Sequence, residues 1–130
     1  LWSILCQLKL PHQVSFLGRI ENQYTLKKMF LELAACLSYS QAGLSVLQSF
    51  AYSTPFFCHK NALSGGEKYN IIDSYNGYLV DSPVELASRM LDVTSNSVLR
   101  EQLSTNAFTT YSDKASFSMF VESFLDAVSS

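Results

Sequence analysis

The sequence predicts an α/β domain with a mostly parallel sheet flanked by helices. Three observations predict it. Short apolar runs of strand type alternate with segments whose apolar residues recur every three to four positions. Residues 82–85 carry a complete helix-start signal. Apolar residues make up 48% of the 130 positions, which is enough for a buried core in one domain.

Val14-Ser15-Phe16-Leu17-Gly18 alternates and ends in glycine, as a short strand does. Residues 22–34 follow a helical period, with Leu26, Phe30 and Leu33 on one face and Lys28 and Glu32 paired on another. Ala35 to Ser38 reads as a buried strand. Gly43 opens a second helix whose buried face is expected at Leu44, Leu47, Phe50 and Ala51. Thr54 to Cys58 is the next strand. Residues 59–70 are mostly polar and contain Gly65-Gly66, a loop signal. Ile71-Ile72 is a very short strand candidate, Asn76-Gly77 a turn, and Tyr78 to Val80 the strand after it. Ser82, Pro83 and Glu85 then form a capping box with proline at the first helical position. Leu86, Ala87, Met90 and Leu91 give that helix its apolar face. A further helix is expected over 97–109, with Leu99, Leu103 and Ala107 inward, and a last one over 116–128. In the last helix Phe117, Phe120, Val121, Phe124, Leu125 and Val128 recur at helical spacing, and this stripe is expected to face the core.

Composition excludes several classes of function. Charged residues are only 15% and the net charge is −2, so the chain is not a disordered charged tail. The nine Lys and Arg are scattered, with Lys27-Lys28 the only adjacent pair, so nothing tracks a phosphate backbone and no nucleic-acid partner is expected. No run approaches about 18 uninterrupted apolar residues, the length of a membrane-spanning helix. No basic segment precedes an apolar stretch at the start, so no signal peptide is visible. The cysteines Cys6, Cys36 and Cys58 are odd in number, and no zinc-type pair exists. They read as reduced core thiols of a cytoplasmic protein. No metal site is expected.

In a parallel sheet, ligands bind beyond the carboxyl ends of the strands. The loop after the 35–38 strand is Tyr39-Ser40-Gln41-Ala42, leading into Gly43 and a helix. A small-residue loop and a helix start together suit an anion, although a glycine there also serves turn geometry. Ser64-Gly65-Gly66-Glu67-Lys68 follows the next strand on the same edge, where Glu67 and Lys68 are either a solvated pair or ligand contacts. His59 lies on that edge too, while His12 is expected at the surface. No Ser-His-Asp or Cys-His arrangement can be argued from two isolated histidines.

The motifs resemble a family when taken in order. They are Val14 to Gly18, Gly43-Leu44-Ser45-Val46-Leu47-Gln48-Ser49, Thr54-Pro55, Gly65-Gly66, Asp73, Asn76-Gly77-Tyr78-Leu79-Val80 and Pro83-Val84-Glu85-Leu86-Ala87. The run resembles the C-terminal half of retaining glycosyltransferases of family 4, also called group 1, which have the GT-B fold. The resemblance implies a Rossmann-like domain that binds a nucleoside-diphosphate sugar of UDP or GDP type. No further cofactor is implied. The amides of Gly43 and Leu44, with Gly65 and Gly66, would contact the donor diphosphate. The family's second glutamate, which holds the ribose, falls on Gln48. Its first, which faces the sugar, falls on Ser40. The loop glutamate falls on Tyr69, with Glu67 two residues earlier. Family glycines fall on Ser53 and Ser74. One polysaccharide-synthesis branch of the family has a similar glutamate-free first loop. No catalytic nucleophile is implied.

The resemblance further implies that residues 1–130 are a single, incomplete domain. The family's first central strand and its N-terminal acceptor domain would precede Leu1, which lies in the helix after that strand. Strands 14–18 and 54–58 would then face an unfilled slot. They are expected to pair directly, to borrow a partner's strand, or to leave the sheet split. Alone, the fragment is expected to be inactive. The full-length protein would be cytoplasmic or membrane-peripheral. The competing expectation is a non-catalytic interaction or oligomerisation module, homodimeric through an exposed strand edge.

Overall fold

A computed structural model describes residues 13–129. The expectations for the opening helix, Cys6 and His12 lie outside the described residues. In chain order the elements are α1 (Gln23–Glu32), β1 (Cys36–Leu37), α2 (Ser45–Ala51), β2 (Phe56–His59), a 3-10 turn (Glu67–Asn70), β3 (Gly77–Val80), α3 (Pro83–Ser95), α4 (Ser97–Thr110), a π-helical turn (Tyr111–Ala115) and α5 (Phe117–Ser129). The strands form one parallel sheet in the order β1-β2-β3. This is the expected α/β architecture with helices over a parallel sheet.

β2 organises the core. Successive side chains of a strand point to opposite faces. Phe56 and Cys58 therefore join Val46, Phe50, Ile71 and Ala107 on one face, while Phe57 joins Tyr78, Val80, Leu86, Val93 and Leu103 on the other. A strand buried on both faces has no polar side chain to spare, which is why Phe56-Phe57-Cys58 reads as an unbroken apolar run. Phe57 and Tyr78 meet edge to face at 5.1 Å. β3 approaches β2 so closely that a Cβ on Gly77 would stand 2.1 Å from the Phe56 carbonyl oxygen, so this position admits only glycine.

Several expectations are corrected. Residues 14–18 form no strand: Phe16 and Leu17 are exposed and Gly18 turns into positive φ. Four alternating residues become a strand only where a neighbouring strand takes up their backbone groups. The strand at 54–58 does not face an open slot. β2 is the central strand, paired on both sides, and β1 is at the edge. Ile71-Ile72 is loop, because the Asn76 side chain accepts from the Ile72 amide at 2.8 Å in place of a strand partner. Gly77 begins β3, so the turn lies just before it, over residues 74–76. Lys28 does not pair with Glu32; it sits over the Tyr24 ring at 4.7 Å.

The helices follow their caps. Asn22, Ser82 and Asn96 each accept from the amide three residues on. α2 buries Val46, Ser49 and Phe50, whereas Leu44, expected inward, is 74% exposed. α2 ends in a Schellman motif: the Ser53 amide donates to Phe50 O at 3.0 Å and the Thr54 amide to Ser49 O at 2.9 Å. That motif needs a left-handed residue, and Ser53 supplies it at φ 58°. Ser74 is the other non-glycine residue at positive φ among the described residues, at 60°. These are the two positions where the family resemblance implies glycine.

α3 buries Leu86 and Val93, but Ala87, Met90 and Leu91 stay exposed, so its apolar face is wider than the core it covers. α4 buries Leu103, Ala107 and Thr110. The α5 stripe does not face the core. Phe117, Phe120, Phe124, Leu125 and Val128 are exposed, and no residue of α5 is buried. Its contacts run mainly to the π-helical turn, and no layer of the described residues lies over it. No helix among the described residues is long and apolar enough to cross a membrane.

Candidate functional site

The carboxyl ends of β1 and β2 open into two loops, and the backbone ties these loops together. The Ala42 amide donates to Leu63 O at 2.8 Å, and the Leu63 amide to Ser40 O at 2.9 Å. This forms a parallel bridge between Gln41 and Leu63 beyond the sheet proper. Between the loops lies a cavity of about 350 Å³ lined by Gln41, Ala42, Gly43, Leu63, Ser64, Gly65 and Glu67. The two glycine loops that the sequence placed on one edge thus form two walls of one cleft.

Ser64 shapes the second wall. Its Oγ accepts from the Gly66 amide at 3.1 Å and the Lys68 amide at 3.0 Å, and donates to Glu67 Oε2 at 3.2 Å. Gly66 sits at φ 139°, a conformation that side chains rarely tolerate. Lys68 turns away from the cleft. Its Nζ donates to Lys60 O at 2.8 Å and Ala62 O at 3.0 Å, fastening the loop beneath. The sequence placed Ser64 in this loop without a role; the S-x-x-E spacing of Ser64-Gly65-Gly66-Glu67 marks a turn there, although its bonds go to the Gly66 and Lys68 amides rather than in capping-box fashion to Glu67.

The proposed diphosphate group is therefore divided. The Gly66 amide is taken by Ser64, while the amides of Gly43, Leu44 and Gly65 donate to no group among the described residues. Ser40 is exposed beside the cleft. Gln48 lies elsewhere, on the exposed side of α2, in a groove of about 410 Å³ with Leu47, Ala51, Tyr111, Phe117 and Phe120. Tyr69 is exposed, away from the cleft lining.

His59 is structural. Its Nδ1 accepts from the Asn61 amide at 3.1 Å, which leaves the proton on Nε2, 3.2 Å from Asp81 O. With Lys60 paired to Asp81, it joins the ends of β2 and β3. Burial pushes the Cys36 and Cys58 thiols up, against a hydrogen bond from Ser49 and the charge of Lys68 respectively, so neither is an activated nucleophile. Behind the cleft, buried Asn76 donates to Asn70 O and Thr110 Oγ1, each at 2.9 Å, holding the 70–76 loop to α4. Among the described residues no three His, Cys, Asp or Glu side chains come together as metal ligands.

A parallel sheet flanked by helices, with a cleft at the carboxyl ends of its strands, is the arrangement of a Rossmann-like domain. The comparisons with known proteins specify it further. The family model of glycosyl transferases group 1 matches residues 4–110, most of the chain, and the protein belongs to that family. Among solved structures it is similar to the C-terminal domain of a glycosyl transferase group 1 family protein, LpcC, from Francisella tularensis. The TM-score is 0.73 at 24% identity over 88% of this chain. The match covers 60% of the length of that chain. No curated protein sequence matches.

Proposed function

We propose that this chain binds the nucleoside-diphosphate sugar donor of a group 1 glycosyltransferase, with the diphosphate in the cleft between the Gly43 and Gly65 loops. The observation that carries this reading is the junction of two glycine loops at the carboxyl end of the sheet, with backbone amides uncommitted on both walls. Among the described residues no lysine or arginine lines the cleft, so the stabilisation is assigned to amide dipoles. They act on the charge that grows on the diphosphate as the glycosyl bond breaks. Gln48 lies outside the cleft, about 6 Å along the α2 axis from Leu44, and takes the ribose hydroxyls through its amide where the nucleoside runs past the cleft towards the groove along α2. Glu67, held by Ser64, offers its free carboxylate oxygen to a sugar or ribose hydroxyl. Transfer proceeds with retention at the anomeric carbon. The acceptor is held by a further domain, without which this chain is inactive.

The test is calorimetric titration with UDP and GDP. One of the two binds, and Gly43→Pro, which deletes an amide donor, weakens it about tenfold, or 1.4 kcal/mol. No heat with either nucleotide at millimolar concentration overturns the proposal. The exposed α5 face favours a second reading, a non-catalytic assembly module, which predicts self-association without nucleotide binding.

A further inference from the structure

α2 and the loop before it present three kinds of surface in order. The loop carries the amides of Gly43 and Leu44, which donate to no group among the described residues. One turn further on stands Gln48, an exposed neutral amide. Next to it Leu47 and Ala51, four residues apart on one strip of the helix, line the groove of about 410 Å³ together with Tyr111, Phe117 and Phe120. No charged side chain among the described residues lines this groove. Tyr111 packs against the core, but Phe117 and Phe120 are 77% and 67% exposed. Two aromatic rings, three residues apart on α5, thus stand at an uncharged groove and fill no core.

From Leu44 to Ala51 the three surfaces span about 10 Å of helix axis. A nucleoside diphosphate carries its groups in the same order: a charged diphosphate, a hydroxylated ribose and a flat, uncharged aromatic base. Resting on the donor reading of the cleft, we propose that the groove between α2 and α5 seats the nucleobase. One face of the base lies on Leu47 and Ala51, and the other stacks on the rings of Phe117 and Phe120. Stacking removes apolar surface of both partners from water, which gives the exposed rings a role that the core does not. An apolar peptide or a lipid chain would use the groove but neither Gln48 nor the two amides. The sequence of the three surfaces therefore favours a nucleotide.

Calorimetric titration with inorganic pyrophosphate, UDP and GDP separates this inference from the reading it rests on, because pyrophosphate reaches only the cleft. UDP or GDP is expected to bind at least tenfold tighter than pyrophosphate. The double variant Phe117→Ala with Phe120→Ala is expected to remove most of that gain and to leave pyrophosphate affinity unchanged. Both side chains are exposed, so the urea midpoint is expected to hold. Ala51→Phe, which fills the groove from the α2 side, is expected to remove the same gain. Pyrophosphate binding with no tighter binding of either nucleotide overturns the base assignment and leaves the cleft reading standing. So does a nucleotide gain that survives both changes. Absence of binding by pyrophosphate and both nucleotides overturns the two together.

Discussion

α4 and α5 are consecutive helices of similar length with opposite fates. α5 has the cleaner apolar stripe, yet all five of its largest apolar side chains other than Val121 and Met119 lie exposed. α4 has the weaker pattern, with Arg100, Glu101 and Gln102 in its second turn, yet it buries Leu103 and Ala107 against the sheet and Thr110 against Asn76. The difference teaches that periodicity identifies which side of a helix is apolar, while burial depends on what lies opposite. For α4 that is α2 and α3, with Phe56 and Phe57 of β2 beneath. For α5, among the described residues, it is a π-helical turn and an open groove along α2.

Mutation can break or sharpen this contrast, and urea midpoints at constant slope are the measurement. Leu103→Ala in α4, where the side chain is 1% exposed, is expected to cost about 2–5 kcal/mol. Phe120→Ala in α5, a larger truncation at 67% exposure, is expected to stay within about 0.5 kcal/mol. Comparable losses at the two sites would mean that α5 is covered in solution. Next in size is the polar anchor of α4. Asn76→Ala removes the partner of the Ile72 amide, Asn70 O and Thr110 Oγ1 together, and about 2–3 kcal/mol is expected to be lost. The same change made alongside Thr110→Val should cost less than the sum of the two singles. The smallest effects favour stability. Ser53→Gly and Ser74→Gly relieve left-handed backbone at no loss of packing, and each is expected to add about 0.5–1 kcal/mol.

Much of the fold was legible because local chemistry decided it. Ser82-Pro83-Val84-Glu85 starts α3 where its capping box says, since the Ser82 hydroxyl takes the Glu85 amide with no help from elsewhere. The buried run Phe56-Phe57-Cys58 was legible as strand for the same reason that it is central. Val14 to Gly18 misled because a strand is a property of two segments, and its own alternation says nothing about the second. Ile71-Ile72 misled because a side chain four residues on, Asn76, took the hydrogen bond a strand would have offered.

The site divides along the same line. Gly43 and Gly65 were singled out by position relative to strand ends, and both line the same cleft. His59 and Lys68 were candidates by residue type. The fold spends both on backbone carbonyls, and no pattern of residue types reveals how a side chain is already occupied. Ser53 and Ser74 show the reverse case. The left-handed turns persist at both positions although glycine is absent, so backbone geometry there outlasts the residue that suits it best.

The bridge from Gln41 to Leu63 sets how this cleft meets a guest. Its two walls share hydrogen bonds, so they are one stiff body rather than two loops that must be gathered together. If the proposed diphosphate binds there, it would meet donors already spaced, with little ordering entropy set against its affinity. Two loops tied in this way would not fold over such a guest independently of each other, so covering it would fall to other parts of the molecule.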